Sequence, residues 1–199
     1  PHLALRLARL AVGLSTVLAT PEALAYRGAS LDLGGSGPVA WRQRPIALEV
    51  VGVPAVGRAK LLTALGDAAT TWTAPSCTSL DAGEMQFWET STQPASGDGI
   101  NSVAWISDGW SDGWWSSTCG VDAVGCTVVA YAQSDDGQWA IEEADVLLNG
   151  PLLANDAGEL LDTTVLHELG HVLGLMHPCL LPGDPATGAP ICDGTTSPA

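Results

Sequence analysis

The sequence predicts an α+β fold built on one mixed sheet. Two stretches have apolar residues at helical spacing, and five shorter runs are rich in β-branched and aromatic residues. Along the chain these follow the order strand, helix, four strands, helix.

The run 45–53, with Ile46, Leu48, Val50 and Val51, reads as the first strand. A helix over 57–72 follows, because Leu61, Leu62, Leu65, Ala68, Ala69 and Trp72 fall on one face. Short strands are predicted at 85–90 and 103–106. The loops around them carry Gly97-Asp98-Gly99 and an echo, Asp108-Gly109-Trp110 then Asp112-Gly113-Trp114. The echo is too short for a repeat architecture, and its tryptophans are expected to pack the loop onto the core. Runs at 127–132 and 139–148 are joined by Ser134-Asp135-Asp136-Gly137, a turn that makes them neighbours in the sheet. Asn149-Gly150-Pro151 ends the second run. The last helix runs from Glu159 or Asp162 to Leu175, with Asp162 as its cap, and Pro and Gly then give loop to the end.

Composition bounds the function. The 199 residues are 46% hydrophobic and 15% charged, which describes a globular chain. A net charge of −15 with seven Lys and Arg excludes nucleic acid as a partner, since phosphate binding needs a basic footprint. Residues 1–25 read as a secretory signal peptide: Arg6 and Arg9, an apolar stretch 10–18, then Ala23-Leu24-Ala25 before Tyr26. The apolar stretch is too short to span a membrane, and the competing reading is an amphipathic N-terminal helix. Residues 26–40 are rich in Gly and Ser and read as a flexible lead-in.

Export makes the five cysteines disulfide candidates. Cys179 with Cys192 could staple a loop; Cys77, Cys119 and Cys126 then leave one over, and their connectivity is not legible. The odd count and the initial Pro give the expectation of a chain cut from a longer protein.

The chemistry rests on His167-Glu168-Leu169-Gly170-His171-Val172-Leu173-Gly174-Leu175-Met176-His177. Residues four apart share a helix face, so His167 and His171 can offer two imidazoles to one ion. Gly174 supplies the left-handed turn that ends the helix, letting His177 return to the same ion. Three histidines leave the fourth position of a tetrahedral zinc open, as in a catalytic site. Glu168 lies beside the first ligand without being one, placed to serve as general base. The remaining histidine, His2, falls in the leader, so the mature region carries no histidine outside this motif.

The motif resembles that of the metzincins, and the wider pattern is similar to the matrixin branch, especially its bacterial members. Besides the zinc motif, the helix ending at Trp72, the loop Gly99-Ile100-Asn101-Ser102-Val103 and the run Glu143-Ala144-Asp145-Val146-Leu147-Leu148-Asn149 carry the resemblance. It spans about residues 41–178 and implies a metallopeptidase catalytic domain over 41–199, with a five-stranded mixed sheet, an N-terminal helix and a zinc-binding active-site helix. It implies a zinc endopeptidase acting on protein or peptide substrates, with one catalytic Zn2+; the leader adds the expectation of secretion, and a monomer is expected. The strand at 127–132 would be the antiparallel edge that pairs with substrate, so Val129→Pro should harm cleavage and spare zinc binding.

The sequence departs from the family in three ways. No Met follows Met176 to form the family's Met-turn; either the chain is cut before it or this part is lost, and a cut chain is the expectation. There is no cysteine-switch motif, and no further histidines remain for a structural zinc. Asp-rich loops leave room for Ca2+, although no EF-hand pattern occurs. Two other classes compete: a catalytically inactive zinc-binding module for adhesion or assembly, and a zinc hydrolase of non-peptide substrates. The intact Glu168 favours the peptidase.

Overall fold

The computed structural model describes residues 8–13, 27–28, 39–55, 57–75, 80–81, 83–91, 95–115, 118–154 and 158–177. The strands are β1 (Ala8–Gly13), β2 (Arg27–Gly28), β3 (Ala40–Trp41), β4 (Ile46–Val51), β5 (Met85–Glu89), β6 (Ser102–Ile106), β7 (Gly125–Gln133), β8 (Trp139–Asn149) and β9 (Leu175–Met176). The helices are α1 (Arg58–Thr73), the short α2 (Gly150–Leu153) and α3 (Glu159–Val172).

The main sheet has seven strands in the order β1-β7-β8-β6-β4-β5, with β3 also paired to β8. Strands β4, β5, β6, β8 and β3 are mutually parallel where they pair, and β7 runs antiparallel to β8. The five strands read from the sequence are present, and the expected sheet of five is corrected to seven. The two additions are β1 and β3. Neither carries an alternating pattern of its own, and the stretch containing β1 resembles an export signal. Because β1 pairs with β7, the strand expected at the sheet edge is internal. Val129 therefore faces Leu10 on one side and Ala144 on the other, so Val129→Pro would not test an edge alone.

Side-chain alternation divides the sheet into two faces. Ile46, Leu48 and Val50 of β4, Val103 and Trp105 of β6, Val129 and Tyr131 of β7, and Val146 and Leu148 of β8 pack with α1 and α3. On the other face, Val51, Ala104, Cys126, Val128 and Leu147 meet Trp110, Cys119 and Ala123 from the loop after β6. Every residue of β7 except Gln133 is buried, the continuous apolar pattern of a strand covered on both faces. Trp110 packs that loop as expected, whereas Trp114 is 38% exposed.

α1 buries Leu61, Ala64, Leu65 and Ala68 against the core, the face read from the sequence. The β7–β8 hairpin closes through the expected turn, with Gly137 at φ 83° and Ser134 N–H donating to the Gln138 carbonyl at 2.9 Å. One feature of this pair escapes pattern reading: pairing shifts between Ala130 and Tyr131, leaving Glu142 as an extra residue on β8.

Cys119 and Cys126 form a disulfide that ties the loop to the start of β7. Cys77, Cys179 and Cys192, including the expected Cys179–Cys192 staple, lie outside the described residues. Replacing Cys119 and Cys126 together by Ala should lower stability by about 2–3 kcal/mol, by the chain-entropy estimate for so short a loop. Urea unfolding under oxidising conditions would read this, and an unchanged midpoint would contradict it.

Asp145, 1% exposed on β8, accepts the Ser102 hydroxyl at 2.7 Å, and its Oδ2 has no partner. Burial pushes its pKa up to about 7 against the Ser102 hydrogen bond, and the charges of Glu143 and Asp98 push the same way. The folded chain thus holds a proton that the unfolded chain releases near the ordinary value of 3.8. Stabilisation from this group is full below that value and is lost as pH rises to about 7. Asp145→Asn should remove this slope and gain up to about 4 kcal/mol at pH 8 relative to wild type. Urea unfolding at pH 5 and pH 8 checks it; parallel behaviour of the two proteins would refute the assignment.

Candidate metal centre

The centre is built on α3 and the turn that follows it. α3 starts after Gly158, whose φ of 128° suits glycine alone, so Gly158 and not Asp162 occupies the capping position. Asp162 instead lies in the first turn, where its charge complements the helix dipole. The helix ends at Val172; Leu173 and Gly174 turn the chain, and Leu175–Met176 forms β9 against β2. Gly174 has φ 81°, the left-handed conformation read from the sequence.

Two indoles hold the helix from outside. Trp72 Nε1 of α1 donates to the Leu166 carbonyl at 2.8 Å, and Trp41 Nε1 of β3 donates to the Val172 carbonyl at 2.8 Å. The second bond occupies a carbonyl of the last turn, which has no partner within the helix.

The three predicted ligands come together. His171 Nε2 lies 3.0 Å from His167 Nε2, which lies 3.1 Å from His177 Nε2. All three are buried, with 8%, 1% and 9% exposure for His167, His171 and His177. Nδ1 of His171 donates to the Leu175 carbonyl at 2.6 Å, which leaves the Nε2 lone pair pointing at its neighbours. Burial, then the nearby His177, holds the His167 pKa down to about 3; burial, then the other two imidazoles, holds His171 well below its usual value. The His167 and His171 rings are therefore neutral at pH 7, and ligand nitrogens of all three histidines lie close together. Nitrogens about 2.05 Å from a tetrahedral zinc would stand roughly 3.3 Å apart, close to the spacing seen. The residues fit a divalent metal. Among the described residues no cluster of acidic side chains gathers in this way for calcium, and the His triad is the group with metal-holding proximity.

Glu168 is fully buried between α3 and the start of β7. The Thr127 hydroxyl donates to its Oε2 at 2.6 Å, while its Oε1 has no protein partner. Burial raises its pKa to about 8, with the Thr127 hydrogen bond opposing. A divalent cation on the neighbouring histidines would favour the ionised form. The space for this side chain exists because residue 125 is glycine: a Cβ there would stand 2.6 Å from Thr164 Cγ2 and 2.9 Å from Glu168 Oε1.

Sequence reasoning named His167, Glu168, His171 and His177 but missed Thr127, Gly125, Trp41 and Trp72. Thr127 read locally as a strand residue and Gly125 fell outside the run, and only the packing of β7 on α3 shows their role at the site. Compared with protein-family models, curated proteins and solved structures, the chain matches none. Among the described residues no helix is long and apolar enough to cross a membrane.

Proposed function

We propose that the chain is a zinc-dependent endopeptidase in which His167, His171 and His177 hold the metal and Glu168 is the general base. The observation that carries this reading is the convergence of three buried imidazoles on the helix that also carries Glu168, a buried carboxylate with one unpartnered oxygen. Three imidazoles, rather than four ligands, are the donor set of a catalytic zinc. Bound there, zinc would supply Lewis acidity to the attacking water and the scissile carbonyl.

The protein's own residues supply the rest in this reading. Glu168 accepts a proton from the attacking water and passes it to the departing amine, which needs a carboxylate held still and shielded from bulk water. Thr127 fixes the Oε2 end, burial shields the group, and the His171 link to Leu175 sets the tautomer that ligation requires. The motif with Gly174 and a third histidine, carried on a helix packed under a mixed sheet, supports a matrixin-like metzincin. The Cys119–Cys126 disulfide supports export, and we read the enzyme as a secreted monomer acting on protein or peptide substrates.

The test is cleavage of a denatured protein substrate, abolished by a chelator and restored by stoichiometric zinc. Zinc binding without any cleavage would favour the inactive adhesion or assembly module instead. Thr127→Val should lower kcat roughly tenfold, as expected for loss of a hydrogen bond to a charged group, while leaving zinc affinity near wild type. Thr127→Ser should restore most of it; equal kcat in Val and wild-type forms would remove Thr127 from the site.

A further inference from the structure

A cleft of about 230 Å3 opens beside β4, and none of His167, Glu168, His171 and His177 lines it. Its walls come from Trp41 of β3, Glu49 of β4, Trp88 of β5, Ile100 in the loop before β6, and Glu142 of β8. Strand alternation brings the acid and the indole together. Ile46, Leu48 and Val50 pack towards the helices, so Glu49 turns to the opposite face, where Trp88 is its register partner on β5. Asn101 fixes the floor: its Nδ2 donates to the Ala47 carbonyl at 2.9 Å, and its Oδ1 accepts the Ala144 N–H at 3.0 Å. Trp88 and Ile100 are 42% and 36% exposed, so two large apolar surfaces border one opening. Trp41, on the rim, is the residue that bonds the Val172 carbonyl beside His171, so the cleft adjoins the turn that carries the metal centre.

Charge selects the occupant. Arg42 and Glu142 form an ion pair at 2.8 Å, which leaves Glu49 as the charge of the cleft that is not matched. Its Oε2 is closed off from solvent and has no hydrogen-bond partner among the described residues. A buried acceptor without a donor is costly, so a ligand that brings a donor gains by supplying it. A carboxylate beside an indole suits a flat, forked, weakly hydrated cation, which stacks on the ring while donating to the oxygen. That cation is a guanidinium. The volume takes one long side chain and lies below the roughly 300 Å3 at which sites for drug-sized ligands begin. A metal ion would lack ligands, since no acidic cluster gathers here among the described residues. We propose that this cleft binds an arginine side chain of the protein substrate, outside the metal centre. The net charge of −15 draws basic segments towards the chain. That the arginine belongs to the substrate rests on the peptidase reading; binding of the side chain itself does not.

The probe is a glycine-arginine-glycine peptide blocked at both ends, titrated into the zinc-loaded full chain by calorimetry. The same peptide with citrulline, the uncharged match of arginine, is the comparison. The arginine peptide should bind at least about tenfold more tightly, the worth of a hydrogen bond between charged groups. Glu49→Gln should erase that difference, and Trp88→Ala should weaken the arginine peptide at least about threefold. Asp135→Asn makes an equal change of charge on the exposed β7–β8 turn and should leave binding at the wild-type level. Equal affinity of wild type for the two peptides would overturn the proposal, because the cleft would then take an apolar side chain. An Asp135→Asn loss as large as that of Glu49→Gln would also overturn it, by assigning binding to overall charge. If either cleft variant does not fold, the arginine–citrulline comparison on wild type decides. On a denatured protein substrate, Glu49→Gln should raise KM at least about threefold with kcat unchanged, the mark of lost uniform binding. Peptide binding without that rise would overturn the assignment of the arginine to the substrate. Loss of cleavage in every form, with the preference for arginine intact, would instead overturn the peptidase reading and keep the cleft.

Discussion

Glu168→Gln is expected to lower kcat for peptide cleavage by roughly 100- to 10,000-fold, the range that a positioned general base contributes. The substitution keeps the shape of a fully buried side chain and an oxygen for the Thr127 hydroxyl, so folding should survive. It removes the acceptor of the water's proton. Burial raises the Glu168 pKa, and replacing a group that resists ionisation with a neutral amide should not cost stability. Zinc affinity should stay near wild type because no ligand atom changes. A variant with near-native kcat and bound zinc would remove Glu168 from the mechanism.

His171→Ala should abolish zinc-dependent stabilisation. Outer partners of metal ligands are worth about 10- to 100-fold in affinity, so losing one of three direct ligands should cost more than about 100-fold. Wild type held at about 1,000 times its dissociation constant gains about 4 kcal/mol from the metal, which for a domain of this size raises Tm by roughly 10 °C. The variant at the same zinc concentration should show little of that rise. His171 is 1% exposed and its ring packs against the other two, so the metal-free variant also melts lower than metal-free wild type. The diagnostic quantity is therefore the zinc-induced shift in each protein. An equal shift in both would place the metal elsewhere.

The sequence revealed the parts of the molecule whose determinants are local. The apolar face of α1 and the continuous apolar run 127–132 carry their signal in nearby residues, and Ser134-Asp135-Asp136-Gly137 carries its turn chemistry in four. The histidine triad was legible for the same reason: helical spacing and one left-handed glycine bring His167, His171 and His177 together with no knowledge of the sheet. What stayed hidden depends on contacts between distant segments. Thr127 lies 41 residues from Glu168 along the chain, and Trp41 lies 131 residues from the carbonyl it caps. Strand β1 went unread for a different reason, since a short apolar stretch after two arginines fits an export signal as well as it fits a strand. The Asp162 cap failed because glycine at 158 turns the chain four residues earlier.

The central claim is that three imidazoles converge on one divalent ion while a fourth position stays open. Zinc-edge X-ray absorption on protein carrying one equivalent of zinc tests it directly. Three imidazole nitrogens at about 2.0 Å with one additional oxygen are predicted. Sulfur in the coordination sphere, or fewer than three imidazoles, would contradict it.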